Sequence, residues 1–270
     1  MSAAKIPGIT FTNPAEATNK EATRLKESGE ADVVVALMHE DAQGFAEDFN
    51  KDVDVAFGGD THVATKGEIE REGALPLQWA QGHEYGKLLN DVDITFDKTA
   101  KKITDISLKQ YDATAAAKVE PDAEIAAIVK KAQQEADIAG AKTAGTVERA
   151  LFRGSDENAD SGSNRGVEST LNNFIADGQR YAMSKQVGED IEIGVMNAGG
   201  VRADLKGGDV TYKDIFEVQP FGNSVITAKI SGEEFINALE NQWQEGSRPR
   251  LAMGLSNNVQ VVYDQKANKG

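Results

Sequence analysis

Val53-Asp54-Val55-Ala56-Phe57-Gly58-Gly59-Asp60-Thr61-His62 is the stretch that decides the fold: a largely apolar run, two glycines, then side chains able to do chemistry. The run has the length of a strand buried in a parallel sheet, and its glycines let a ligand or another backbone approach its end. Upstream, Val33 to Leu37 repeats the pattern and runs into Met38 and His39. A short helical stretch separates the two runs, which predicts a βαβ-like unit around a buried sheet. Farther upstream, Asn13-Pro14 reads as an N-cap with proline at the first helical position, opening a helix that stops near Gly29.

Downstream, the period changes. Leu75–Gln81, Leu89–Asp97 and Ile103–Asp112 predict three strands joined by short turns. Val92, Ile94 and Phe96 alternate with Asp91, Asp93, Thr95 and Asp97, the period of a half-buried antiparallel strand. Pro121 then opens a helical pattern with Ile125, Ile128, Val129, Ala132 and Ala136 on one face, and this helix sets the expected domain boundary. Beyond it, Val167, Leu171, Phe174, Ile175 and Tyr181 predict a helix, and Ile191–Asn197 a strand entering the loop Ala198-Gly199-Gly200. Val225–Ile230 and Val259–Tyr263 predict two more strands. Between them Ser231-Gly232-Glu233-Glu234 is a capping box for a helix through Phe235, Leu239 and Trp243. The fold class is mixed, α/β with α+β.

Composition narrows the functions. The 270 residues are 40% hydrophobic and 27% charged, as in a globular chain. Lys+Arg 29 against Asp+Glu 44 leaves a net charge of −15, which repels nucleic acid polymers and anionic membrane surfaces. Cysteine is absent, which excludes a disulfide scaffold, thiolate metal sites and a cysteine nucleophile. No stretch approaches the ~20 apolar residues of a membrane span, and Met1 to Phe11 holds no apolar run long enough for a signal peptide.

Two groups of residues carry candidate chemistry. His39 and His62 lie just past the carboxyl ends of consecutive apolar strands, where open α/β sheets place their ligands. With Asp60 they offer imidazole nitrogen and carboxylate oxygen, a set suited to Mn, Zn, Fe or Mg; ordinary loop histidines are the plainer alternative. His83 is expected to face solvent or pack on Tyr85, and takes no role. In the second half, Asn197-Ala198-Gly199-Gly200-Val201-Arg202 combines an amide, two glycines and a guanidinium, which suits an anionic ligand. Pro220-Phe221-Gly222-Asn223 sets an aromatic ring on a tight turn, where its face would stack on a nucleobase. Arg165 lies at an expected helix start. Taken singly, these also read as a turn, a buried phenylalanine and two solvated arginines.

In this order the motifs resemble the 5'-nucleotidase family, which includes bacterial UDP-sugar hydrolases and 2',3'-cyclic-nucleotide 2'-phosphodiesterases. The resemblance runs from about Ile9 to Asp264 and includes Asp32–His39, Val53–His62, Gln81–Lys87, Arg165 with Glu168 and Asn173, Asn197–Arg202 and Pro220–Asn223. It implies part of a calcineurin-like metallophosphatase sandwich over 1–118, a linker helix over 119–140 and a nucleotide-binding C-terminal domain over 141–270. It implies that His39, Asp60 and His62 hold metal, within a centre of two divalent ions (Mn, Zn, Mg or Ca). Arg165, Asn197, Gly200, Arg202, Phe221 and Asn223 would hold a nucleotide or nucleotide sugar. The implied location is extracellular, periplasmic or cell-wall associated.

The departures are specific. The family's opening Asp-x-His, bridging Asp and Asn-His-Glu/Asp motifs have no counterpart here, and Asp60 stands where the family usually has His. Ser256-Asn257-Asn258 replaces a common Ser-Gly. The expectation is therefore a piece of a larger nucleotide phosphohydrolase, with an incomplete metal site and little activity alone. Rival readings are a non-catalytic nucleotide-binding module and a surface-interaction protein on the same scaffold.

Overall fold

The computed structural model describes residues 10–243 and 250–263. They belong to two compact units, Met1–Asp122 and Ala123–Gly270. The expected termini of the resemblance, Ile9 and Asp264, lie outside the described residues.

The first unit opens with α1 (Pro14–Glu27). Asn13 caps it by accepting from the amides of Ala15 and Glu16, and Gly29 at φ 71° ends the segment in the left-handed region. Next come β1 (Val35–Leu37), α2 (Ala42–Ala46) and β2 (Val55–Gly58), and the two strands pair in parallel. This is the expected βαβ unit. β3 (Ala64–Ile69) and β4 (Leu77–Gly82) complete a four-stranded sheet of order β1-β2-β4-β3, in which only the β3–β4 pairing is antiparallel. Ala15, Ala22, Ala42, Phe49, Val53, Ala56, Leu77 and Trp79 form the core between the sheet and its helices. A buried Asp54 ties the layers, since it takes Lys26 in an ion pair and accepts from the Val34 amide at 2.8 Å.

The sheet is not covered throughout as the sequence predicts. β1 is an edge strand, and its Leu37 is 79% exposed. β3 escapes the sequence reading because Ala64-Thr65-Lys66-Gly67-Glu68-Ile69 is mostly polar. It forms as a ladder on β4, with Gly67 so close to the Trp79 ring that a Cβ there would lie 2.6 Å from it. β5 (Leu88–Asp97) and β6 (Lys102–Asp112) form a long antiparallel hairpin, as the alternation predicts, followed by the short α3 (Ala113–Ala116).

The second unit begins with α4 (Ala123–Gly140), the expected boundary helix. Its apolar face is not buried: Ile125, Ile128 and Val129 are all exposed, and only Gly140 is enclosed, against Lys213. β7 (Thr143–Val147) pairs antiparallel with β9 (Gly208–Thr211), and α5 (Thr170–Val187) packs on β8 (Val195–Met196). α6 (Tyr212–Val218) and α7 (Gly232–Glu240) each start with a capping box, at Thr211/Asp214 and Ser231/Glu234, but α7 stops short of the expected Trp243, which instead forms an antiparallel bridge with Arg250. Leu151, Leu171, Ala176, Met196, Val201, Leu205, Val210 and Val218 form the core.

Three expected strands come out differently. Ile191–Asn197 shortens to β8, because Ser184 and Arg180 of α5 take up the backbone of Ile191. Val225–Ile230 forms no strand, having no backbone hydrogen bond among the described residues, and Val225, Ile226 and Ile230 are exposed. Val259–Tyr263 also forms no strand; the one that meets β8 is β10 (Gly254–Leu255).

Candidate functional site

The parallel register brings His39 and Asp60 together. Leu37 pairs with Phe57, so the chains leaving β1 and β2 emerge side by side, and the Gly59 amide donates to the Glu40 carbonyl at 2.9 Å. A Cβ on Gly58 would lie 2.5 Å from the Ala42 nitrogen, so glycine alone lets α2 begin this close to β2. His39 Nε2 lies 3.3 Å from Asp60 Oδ1, and both side chains are well exposed.

His62 goes elsewhere. Asp60 and His62 both adopt left-handed backbone, at φ 63° and 60°, and the intervening Thr61 amide donates to the Gly59 carbonyl at 2.7 Å. The fully buried Gln81 fixes this turn by donating from Nε2 to Thr61 Oγ1 at 2.6 Å. The His62 ring meets the Glu84 carboxylate through Nδ1 and stacks edge-on against Tyr85, with centroids 5.7 Å apart. Tyr85 is thus a partner of His62 rather than of His83, whose Nδ1 is buried without a hydrogen bond among the described residues. Burial raises the Glu84 carboxyl pKa, but the bond from Lys87 at 2.9 Å and the charges of His62 and Lys87 outweigh it and hold it below the usual carboxylate range.

Among the described residues no three His, Cys, Asp or Glu side chains converge as a metal site. By donor chemistry His39 and Asp60 fit a divalent ion, whereas His62, engaged by Glu84, does not join them in this arrangement. Gln81 and Glu84 escape the sequence reading as partners of this loop, although both lie in the Gln81–Lys87 run.

In the second unit Asn197 follows β8 and a single 3-10 turn, Ala198–Gly200, carries the chain into Arg202. A Cβ on Gly199 would lie 3.5 Å from Arg165 Nη1, so the Arg165 guanidinium lies over the glycine turn. Gly200 is pressed against Asn197, whose Oδ1 would stand 2.9 Å from a Cβ there. The Arg202 amide donates to the Val218 carbonyl at 2.9 Å, which seats the loop on the end of α6 just before the Pro220–Phe221 turn. Arg202 Cζ lies 4.9 Å from the Phe221 ring centroid, a cation–π arrangement. Arg202 Nη1 is buried with no hydrogen bond among the described residues, and half of Phe221 (51%) is exposed. Asn223, beyond Gly222 at φ 61°, is exposed and makes no described hydrogen bond to the others.

Other motif residues bond within the second unit. Glu168 accepts from Asn173 at 2.8 Å, and Asn173 in turn receives the Leu255 amide. Ser256 is fully buried and accepts from the Gly194 amide at 2.9 Å, so its hydroxyl faces the fold. A cavity of about 820 Å³ lies between α5, β7 and α6, lined by Leu171, Phe174, Ile175, Ile215 and Val218. None of the six nucleotide candidates lines it.

Comparison with known proteins bears on this arrangement. Residues 143–270 match the family described as 5'-nucleotidase, C-terminal domain. The chain is 33% identical over 246 residues to the endonuclease YhcR of Bacillus subtilis strain 168, covering 86% of this chain and 19% of that protein. It is 29% identical over 240 residues to the trifunctional nucleotide phosphoesterase YfkN of the same strain, covering 86% and 15%. The structure is similar to that of a 5'-nucleotidase precursor from Thermus thermophilus, with a TM-score of 0.63, 22% identity, and coverage of 93% of this chain and 50% of that one. The chain thus spans a fifth or less of these two curated relatives' lengths and half of the solved chain. The stretch that carries Arg165, Asn197, Arg202 and Phe221 is thus similar to the 5'-nucleotidase C-terminal domain over residues 143–270.

Proposed function

We propose that the chain takes part in hydrolysis of nucleotide phosphate esters, its second unit holding the nucleotide and its first unit contributing metal ligands. The observation that carries this reading is Arg202, a guanidinium whose buried Nη1 has no hydrogen-bond partner among the described residues, set against the half-exposed Phe221 ring. A phosphate would satisfy the guanidinium in a planar fork, and the ring offers a surface to a base. Arg165 adds a second positive group over Gly199, and Asn197, Gly200 and Asn223 complete the proposed contact set. YhcR and YfkN, both named as enzymes acting on nucleotides or nucleic acid, support the substrate class.

His39 and Asp60 would hold a divalent ion, with His62 as a third ligand once released from Glu84. Such an ion, when bound, supplies an activated water and charge stabilisation for the phosphoryl group. Three donors fall short of a two-metal centre, so residues 1–270 alone are expected to turn over substrate little if at all. A location outside the cytoplasm, in the periplasm or at the cell wall, belongs to the same proposal.

Calorimetry with AMP tests it. Binding that strengthens on adding Mn²⁺ and disappears in Arg202→Ala is the expected result; equal binding by both proteins removes the nucleotide reading. A second reading, a nucleotide-binding module without catalysis, is favoured by the engagement of His62 with Glu84. AMP binding with no detectable change on adding Mn²⁺ would decide for it.

A further inference from the structure

Arg153 lies outside the proposed contact set, yet its donors connect the segments that carry both arginines. Its backbone amide and Nε donate to Asp204 Oδ1 at 2.9 and 3.1 Å, Nη1 donates to the Arg202 carbonyl at 2.9 Å, and Nη2 donates to the Ser161 carbonyl at 3.0 Å. Ser161 Oγ donates to the same Asp204 oxygen at 2.7 Å. Burial raises the Asp204 pKa, but these donors and the Arg153 charge outweigh it and keep the carboxyl below its ordinary range. Gly162, at φ 85°, wraps the loop around this guanidinium so closely that a Cβ would lie 2.6 Å from Arg153 Cζ.

The same loop delivers Arg165. The Gly154 carbonyl accepts from the amides of Gly162 and Asn164, at 2.9 and 3.3 Å, and the Arg165 carbonyl accepts from Ala252 at 2.8 Å. On the other side, Leu151 and Leu205 exchange a pair of backbone hydrogen bonds at 2.8 and 3.0 Å, which fixes the frame from which Arg153 reaches Arg202. We propose that Arg153, held by Asp204, is a positioning residue that sets the Arg165 and Arg202 guanidiniums as a pair for one phosphate group. This rests on the nucleotide reading above and adds to it how the two cations are held at a fixed separation. Only a guanidinium provides Nε, Nη1 and Nη2 in one plane for three acceptors, whereas a lysine ammonium is a single point.

The test uses the 270-residue chain with Arg153→Lys and, as a second variant, Asp204→Asn. AMP and adenosine are titrated calorimetrically, and the arginine side-chain 15N–1H spectrum of each unliganded protein is recorded, with Arg202→Lys and Arg165→Lys identifying their signals. AMP affinity is expected to fall roughly tenfold, the size of a loosened charge-assisted contact, while adenosine affinity stays within about twofold. The Arg165 and Arg202 Nε signals are expected to shift or broaden together. Equal losses for AMP and adenosine, or no loss for AMP, overturn the positioning role. Unchanged Arg165 and Arg202 signals overturn it even if wild-type protein binds no AMP, an outcome that would count separately against the nucleotide reading.

Discussion

Asp60 and His62 sit two residues apart at positive φ, and that local zigzag separates their side chains: one meets His39, the other Glu84. The spacing Asp-x-His was legible in the sequence, and so was the adjacency of His39 to Asp60, because parallel strands leave a sheet side by side. The turn's handedness was not legible, since any sequence signal for it is weaker than glycine's. Glu84 was hidden for another reason: its partner lies across a sheet end, a contact no local spacing encodes. Because Lys87 and His62 hold the folded Glu84 carboxyl below its ordinary value of 4.5, its stabilising contribution is complete above that pH and fades as pH falls through the lower folded value. Glu84→Gln is accordingly expected to lower the melting temperature at pH 7 and to match wild type under strongly acidic conditions. Thermal scans across pH check this, and parallel curves at every pH would contradict it.

Elements follow the sequence where hydrophobic period and caps agree, as in α1, β5 and β6, and depart where tertiary partners decide, as where α7 ends before Trp243. β3 is polar and gains its ladder from β4, whereas Val225–Ile230 has strand-forming residues but no partner strand among the described residues. α4 shows the same lesson in a helix: a clear apolar stripe need not be covered. At α6 the capping box holds Asp214 through the Thr211 hydroxyl and amide, with Lys206 adding its charge, and its pKa falls to about 2 against the opposing effect of burial. Thr211→Ala is expected to cost ~1 kcal/mol at neutral pH, a typical capping loss. Since the lowered pKa makes the carboxylate's contribution full above its ordinary value of 3.8 and lost as pH falls towards 2, that cost shrinks in acid. Urea denaturation at neutral pH and again near the lowered pKa measures the difference, and a cost that grows in acid would be the wrong sign.

At the scale of the molecule, each unit has its own buried core, one around Leu77 and Trp79, the other around Leu171 and Val210. Leu77→Ala and Leu171→Ala each remove a fully buried side chain, at an expected cost of about 2–5 kcal/mol. Calorimetry is expected to resolve two heat-absorption peaks, with each substitution lowering a different one; a single peak displaced equally by both would argue for one cooperative body. Val225–Ile230 also bears on how the protein behaves in a concentrated sample. Together with Ser224, this run of Ser-Val-Ile-Thr-Ala-Lys-Ile presents greasy side chains to the solvent and amides that find no acceptor among the described residues, the features from which intermolecular cross-β ladders nucleate. Shelf life should therefore shorten steeply with protein concentration, and Ile226→Lys, placing a gatekeeper charge at the most outward of the three exposed apolar positions, should delay the onset of light scattering and thioflavin fluorescence.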